Sequence, residues 1–185
     1  MSPVGTNERI PAELMVAALK DAFRAQRTAP PLAGEPLGWI LSVPDTHQRS
    51  VIAELEGDDE LRLLTCSTED EANAIAAGLH IGGAEVALMI QHAGLYASVN
   101  TMRGVGLDGG VPLFALVGLL SREPELAPRD SPRSMVRFAE PLLDTFAVPH
   151  TLLETRDDLH RIPEYYALSR ERSGPAVVLV GRETA

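Results

Sequence analysis

Six short apolar runs recur along the chain, and most are separated by stretches long enough to hold a helix. The runs are Trp39–Val43, Leu61–Cys66, Glu85–Ile90, Pro112–Gly118, His150–Leu153 and Ala176–Val180. Apolar strands that alternate with helices imply a parallel sheet covered on both faces. The expected fold is therefore α/β, a three-layer sandwich with a mainly parallel six-stranded sheet and helices on either side. Met15, Leu19, Ala22 and Phe23 share one helical face, and Pro11 opens that helix. Further helices are expected over Thr46–Leu55, Glu69–Leu79, Leu95–Met102, Phe138–Phe146 and Leu159–Ser173. The Ala-rich Glu69 helix is expected to be buried and to stop towards Gly82-Gly83. Ala29–Gly38, rich in Pro and Gly, reads as a loop. A length of 185 residues suits one domain, residues 1–185, with a core over about 12–181.

Composition excludes several classes. Acids number 26 and bases 16, a net charge of −10, which disfavours binding to nucleic acid or an anionic membrane. Lys20 is the only lysine, and Glu54–Glu71 reads as a solvated acidic face. The longest apolar run, Val111–Leu120, is about half of what a membrane span requires. The first residues, MSPVGTNERIP, carry no export pattern. One cysteine, Cys66, makes no internal disulfide, and a cytoplasmic location is expected. Gly104-Val-Gly106-Leu-Asp-Gly109 matches G-x-G-x-x-G, but a helix precedes it and a strand follows, the reverse of a dinucleotide site. It is expected to be a flexible turn. The histidines lack zinc spacing, and there is no P-loop and no G-x-S-x-G elbow.

In a sheet of this kind chemistry gathers at the carboxyl ends of strands. Pro44–His47, Ser67–Glu71, Gln91–Tyr96 and Leu119–Arg137 occupy those ends. Asp45 and Thr46 are candidate binding groups or simply helix caps. Glu69 and Glu71 begin a helix, where an acid is favoured by the dipole or kept in a cleft for a task. Gln91 and His92 interrupt a buried strand at its end, as structural residues or as catalytic ones.

These loops together resemble the pyrimidine-binding (Pyr) domain of thiamine-diphosphate enzymes, in particular sulfopyruvate decarboxylase alpha subunits and the matching half of phosphonopyruvate decarboxylases. In that family a Glu stands nine residues before the glycine of an Ala-rich helix, as Glu69 stands before Gly78. The family pattern Met-Gln-x-Ser-Gly-Leu-Gly-Asn-x-x-Asn is matched by Ile90-Gln91-His92-Ala93-Gly94-Leu95-Tyr96-Ala97-Ser98-Val99-Asn100. Ala139-Glu-Pro-Leu-Leu-Asp-Thr-Phe-Ala-Val-Pro149 resembles T-E-P-L-L-D-A-L-G-I-P, and Ser42-Val-Pro-Asp45 resembles the first substrate loop. The similarity runs in the same order from about Ala12 to Gly181.

The resemblance implies a thiamine-diphosphate-binding fold of the Pyr type and a 2-oxo acid decarboxylase. Glu69 would bond the aminopyrimidine of thiamine diphosphate and activate it, with Gln91, Gly94 and Leu95 also on the cofactor. His92, His47 and Tyr96 would meet the substrate, and Asp45 or Thr46 would supply a second polar catalytic group. Tyr96 and Ala97 replace the family's Gly and Asn, His92-Ala93 replaces a Ser/Asn pair, and Leu120-Ser-Arg-Glu123 stands where the family has Arg-Gly. The 2-oxo acid is thus left open, a bulkier or less anionic one included. Gly-Asp-Gly followed by Asn-Asn, the family's diphosphate and magnesium site, is missing. A separate beta subunit of similar size is expected to bring those ligands for Mg2+, most simply in an α2β2 assembly. A carboligase or transketolase-like subunit, and a cofactor-free α/β binding or regulatory protein, are the alternatives.

Overall fold

The computed structural model describes residues 9–28 and 30–185. Six strands form one sheet: β1 (Gly38–Ser42), β2 (Leu61–Thr65), β3 (Val86–Gln91), β4 (Phe114–Gly118), β5 (His150–Leu153) and β6 (Ala176–Val180). Their order is β2-β1-β3-β4-β6-β5, and every pairing is parallel. The sheet is therefore wholly parallel rather than mainly so. β4 and β6 are buried along their whole length, as apolar strands in mid-sheet must be, whereas edge strands β2 and β5 are partly open.

Period-two alternation divides the core into two layers. Ala87 and Met89 of β3 face α1 (Ala12–Gln26), α2 (Arg49–Glu56) and α8 (Arg161–Arg172), through Met15, Leu19, Phe23, Leu55, Ile162 and Tyr166. Val86, Leu88 and Ile90 face α3 (Glu69–Ile81), α4 (His92–Ala97) and α7 (Ala139–Thr145). Between those last two helices lie α5 (Val99–Thr101) and α6 (Ser134–Arg137). The described ends are tied together, Ile10 N–H bonding Glu183 O at 3.1 Å and Ala185 N–H bonding Ile10 O at 2.9 Å. No described helix is long and apolar enough to cross a membrane. The export reading rested largely on residues 1–8, which lie outside the described residues, as does Ala29 of the expected loop.

Four expectations are corrected. Thr46–Gln48 form a turn rather than the start of α2, because the Asp45 carboxylate accepts the His47 N–H at 2.9 Å and holds the chain off helix. The helix expected from Leu95 begins at His92, directly off β3, and the chain stays helical through α5. Gly104–Gly109 is no turn: Met102–Asp108 winds as a π-helix, capped where Gly109 N–H meets Gly104 O. The Glu69 helix is buried only along Ala72, Asn73, Ala76 and Ala77; its other face is open, with Ile81 76% exposed.

The chain leaves β1 on one side to form β2 and returns on the other to form β3. That reversal opens a crevice between the loops that follow β1 and β3, the ordinary place for a ligand in such sheets.

Candidate functional site

Asp45 lies just past the end of β1 and is 3% exposed. Its Oδ1 accepts the His47 N–H at 2.9 Å and the Gln91 amide at 2.9 Å, and its Oδ2 accepts the Gln48 amide at 3.1 Å. Gln91 ends β3, so this carboxylate ties the two loops flanking the crevice. Three donors satisfy a buried charge that would otherwise be costly. Gln48, fully buried, also donates to Ile90 O at 3.2 Å and anchors the turn to β3. Thr46 is exposed. Of Asp45 and Thr46, it is Asp45 that is buried.

Room for Asp45 comes from Gly118 at the end of β4. A Cβ there would stand 2.5 Å from Asp45 Oδ2 and 3.1 Å from His47 Cδ2.

Two imidazoles flank the carboxylate. His47 Nε2 meets Val180 O at 2.9 Å, and His92 Nε2 meets Leu120 O at 3.1 Å. A carbonyl only accepts, so both rings carry the proton on Nε2 and present a lone pair at Nδ1. Both Nδ1 atoms are buried without a partner. Burial pushes both imidazoles below their ordinary range, against the pull of Asp45. They are neutral at pH 7, and each holds a vacant proton-accepting atom.

Glu69 and Glu71, equivalent in sequence chemistry, separate in space. Glu71 serves its own helix: its carboxylate accepts Ser67 N–H at 2.6 Å, while the Thr68 hydroxyl accepts Glu71 N–H at 3.2 Å. This is a capping arrangement. Glu69 has no such task. Its backbone oxygen accepts the Asn73 amide at 2.8 Å, and among the described residues none donates to its carboxylate. The carboxylate lies against Gly94 of α4, where a Cβ would stand 2.3 Å from both Cγ and Oε1. Only glycine admits it. Ser98, bonded to Gly94 O at 2.7 Å, steadies that helix.

The remaining candidates fall in varied surroundings. Leu95 is 2% exposed and packs in the apolar layer under α4. Tyr96 is half-buried, its hydroxyl donating to Met135 O at 2.9 Å, and burial raises its pKa. The structure thus joins Asp45, His47 and Gln91 by hydrogen bonds, with His92 close enough to feel the charge of Asp45. Glu69 approaches Gly94, two residues along the helix that starts at His92. Gln48 and Gly118 went unnoticed in the sequence. Gln48, three residues after Asp45, is a reachable signal; Gly118 has none, since its role depends on what crosses it.

Among the described residues no group of three or more His, Cys, Asp and Glu could hold a metal ion. The donor set does fit the aminopyrimidine end of thiamine diphosphate: an unpartnered carboxylate over a glycine cradle, beside a satisfied polar cluster.

No protein-family model matches the chain. It is 24% identical over 129 residues to the sulfopyruvate decarboxylase subunit alpha of Methanocaldococcus jannaschii, covering 70% of this chain and 75% of that protein. The same subunit of Methanococcus maripaludis is 24% identical over 144 residues, covering 77% and 84%. Phosphonopyruvate decarboxylase of Streptomyces viridochromogenes is 28% identical over 132 residues, covering 70% of this chain but only 32% of that longer protein. The chain is thus similar to sulfopyruvate decarboxylase alpha subunits over most of its length, and to about a third of phosphonopyruvate decarboxylase.

Proposed function

We propose that the chain is the alpha-type subunit of a two-component, thiamine-diphosphate-dependent 2-oxo acid decarboxylase. The observation that carries this reading is the Glu69 carboxylate, free of hydrogen bonds and set against Gly94. Such a carboxylate would accept a charge-assisted hydrogen bond from the cofactor's ring nitrogen. When bound, thiamine diphosphate supplies a nucleophilic carbon that stores the electron pair released with carbon dioxide. Asp45 fixes Gln91 in the crevice. His92 Nδ1, neutral and unpartnered, receives or returns a proton at the substrate's reacting end. Gly94 keeps the carboxylate close to the α4 backbone, and His47 walls the crevice on the β4 and β6 side.

Relatives named as alpha subunits support a partner chain. That chain, of similar size, would bring the diphosphate-binding domain and the Mg2+ ligands.

The test is hydrogen–deuterium exchange at the thiazolium carbon in the complex reconstituted with that partner. Glu69→Gln should slow exchange by orders of magnitude, whereas Glu71→Gln should leave it near wild type. Equal exchange in wild type and Glu69→Gln refutes the assignment. Thermal melting of each variant controls for folding.

A further inference from the structure

Gln48 is fully buried, yet its Oε1 has no partner. Its Nε2 donates to Asp45 Oδ2 at 3.1 Å and to Ile90 O at 3.2 Å. Both partners only accept, so the amide nitrogen must face them and the amide oxygen is turned away from both. A buried acceptor left unpaired costs free energy. An apolar side chain of this length would carry no such cost, so stability alone does not account for an amide here.

The amide closes a ring of contacts. Asp45 Oδ1 accepts the Gln91 amide at 2.9 Å, and Gln91 directly follows Ile90 in β3. Gln48 thus holds the carboxylate by its second oxygen and the strand by the carbonyl just before Gln91. Without it Asp45 would keep His47 N–H and the Gln91 amide, both on Oδ1, and its Oδ2 would be unheld. Gly118, the other neighbour of Oδ2, has no side chain to hold it.

A carboxylate dictates which end of an amide turns towards it. Asp45 takes the Gln91 nitrogen, so the Gln91 oxygen is the end left for a ligand, and among the described residues nothing donates to it. A Gln91 amide free to flip would offer donor and acceptor alike, and the crevice would lose an acceptor fixed in advance of binding.

We infer that Gln48 is a positioning residue: it locks the Asp45 carboxylate in the orientation that turns the Gln91 oxygen to the crevice. Gln48, wholly enclosed, acts through Asp45 and Gln91. The positioning stands on these contacts alone; its effect on turnover rests on the decarboxylase reading.

The experiment has two arms. In the full chain alone, NMR follows the side-chain amide of Gln91. Gln48→Met, close in length and apolar, should move that resonance pair towards the position of free glutamine while the backbone spectrum stays that of the folded chain. Gln48→Glu is the second variant, in case Gln48→Met fails to fold. Its carboxyl can donate to Asp45 only when protonated, and the neighbouring carboxylate favours that form. The Gln91 resonances should therefore match wild type at mildly acid pH and depart from it as pH rises. The other titratable groups around Asp45 are His47 and His92, present in wild type too, so each comparison is made with wild type at the same pH. In the complex reconstituted with the partner, Gln48→Met should lower kcat about tenfold or more, and Gln48→Glu should regain it on acidification. In a Gln91→Ala background the loss from Gln48→Met should shrink to within about twofold, because the two residues act on one path. An unmoved Gln91 resonance in a folded Gln48 variant, or an equal loss with and without Gln91, overturns the inference. A wild-type complex that turns over no 2-oxo acid counts against the decarboxylase reading, and the NMR arm still decides Gln48.

Discussion

Two glutamates two positions apart on α3 meet opposite fates, one as a helix cap and the other as an unpartnered acceptor. Glu71→Gln should cost about 0.5–1 kcal/mol of stability, the ordinary range for a weakened cap, as read by chemical denaturation. Gly94→Ala tests the other glutamate from across the interface. Alanine is the better helix former by about 1 kcal/mol, but its Cβ occupies the space of the Glu69 carboxylate. The half-buried Glu69 side chain can swing aside. The expected outcome is a melting temperature close to wild type with cofactor activation lost in the reconstituted complex. Normal activation in Gly94→Ala would detach Glu69 from the cofactor. His92→Asn should alter the kinetic constants and the pH profile of decarboxylation while thiazolium exchange stays nearly normal, as the proposed role at the substrate, rather than at the cofactor, requires. A collapse of exchange would contradict that role. Sequence spacing singled out Glu69 through resemblance alone; its freedom from hydrogen bonds is visible only once Glu71 is seen to do the capping.

At the scale of elements, α8 is fastened at the amino end of the sheet by a buried polar cluster. The Tyr166 hydroxyl donates to Glu85 at 2.5 Å, Arg170 reaches the same carboxylate at 3.3 Å, and Val86 N–H donates to the Tyr166 oxygen at 3.2 Å. The ring packs edge-on against Phe23 and Phe114, centroids 5.0 and 5.4 Å away. Burial and the Glu85 charge drive the Tyr166 pKa upward, so the hydroxyl stays a donor. Tyr166→Phe keeps the ring and leaves Glu85 and Val86 N–H short of a partner. A loss of about 1–3 kcal/mol is expected in denaturant unfolding, and a neutral result would show that water replaces the hydroxyl. The helix boundaries misjudged from sequence share a cause. Asp45 competes with helix initiation through its own side chain, and α4 starts straight from β3 with no intervening loop, which no propensity signals.

For the whole molecule, pH sensitivity follows from the buried imidazoles. Burial lowers the pKa of His47, His80 and His92 from an ordinary 6.5. Between the lowered folded values and 6.5 the unfolded chain binds protons that the folded chain refuses, so stability rises with pH there. It is full above 6.5 and falls on acidification below it. Melting temperature should drop between pH 7 and pH 5, and a flat or rising trend would contradict the assigned burial. The chain alone should show no magnesium-dependent turnover of 2-oxo acids, and solution mass of the complex should match α2β2. Robust turnover by the chain alone would end the two-component reading. The sequence by itself determined the layered α/β architecture, because strand-length apolar runs have nowhere to go but a sheet covered on both faces. It also put Asp45, Glu69 and Gln91-His92 at the carboxyl ends of strands, where the structure has them. Only the tertiary structure decided what those residues do to one another. That Gly118 and Gly94 yield their side-chain space to Asp45 and Glu69, and that Gln48 ties Asp45 to Ile90, depends on strands distant in sequence. Such contacts leave no period or spacing along the chain, since they arise where a parallel sheet reverses its strand order.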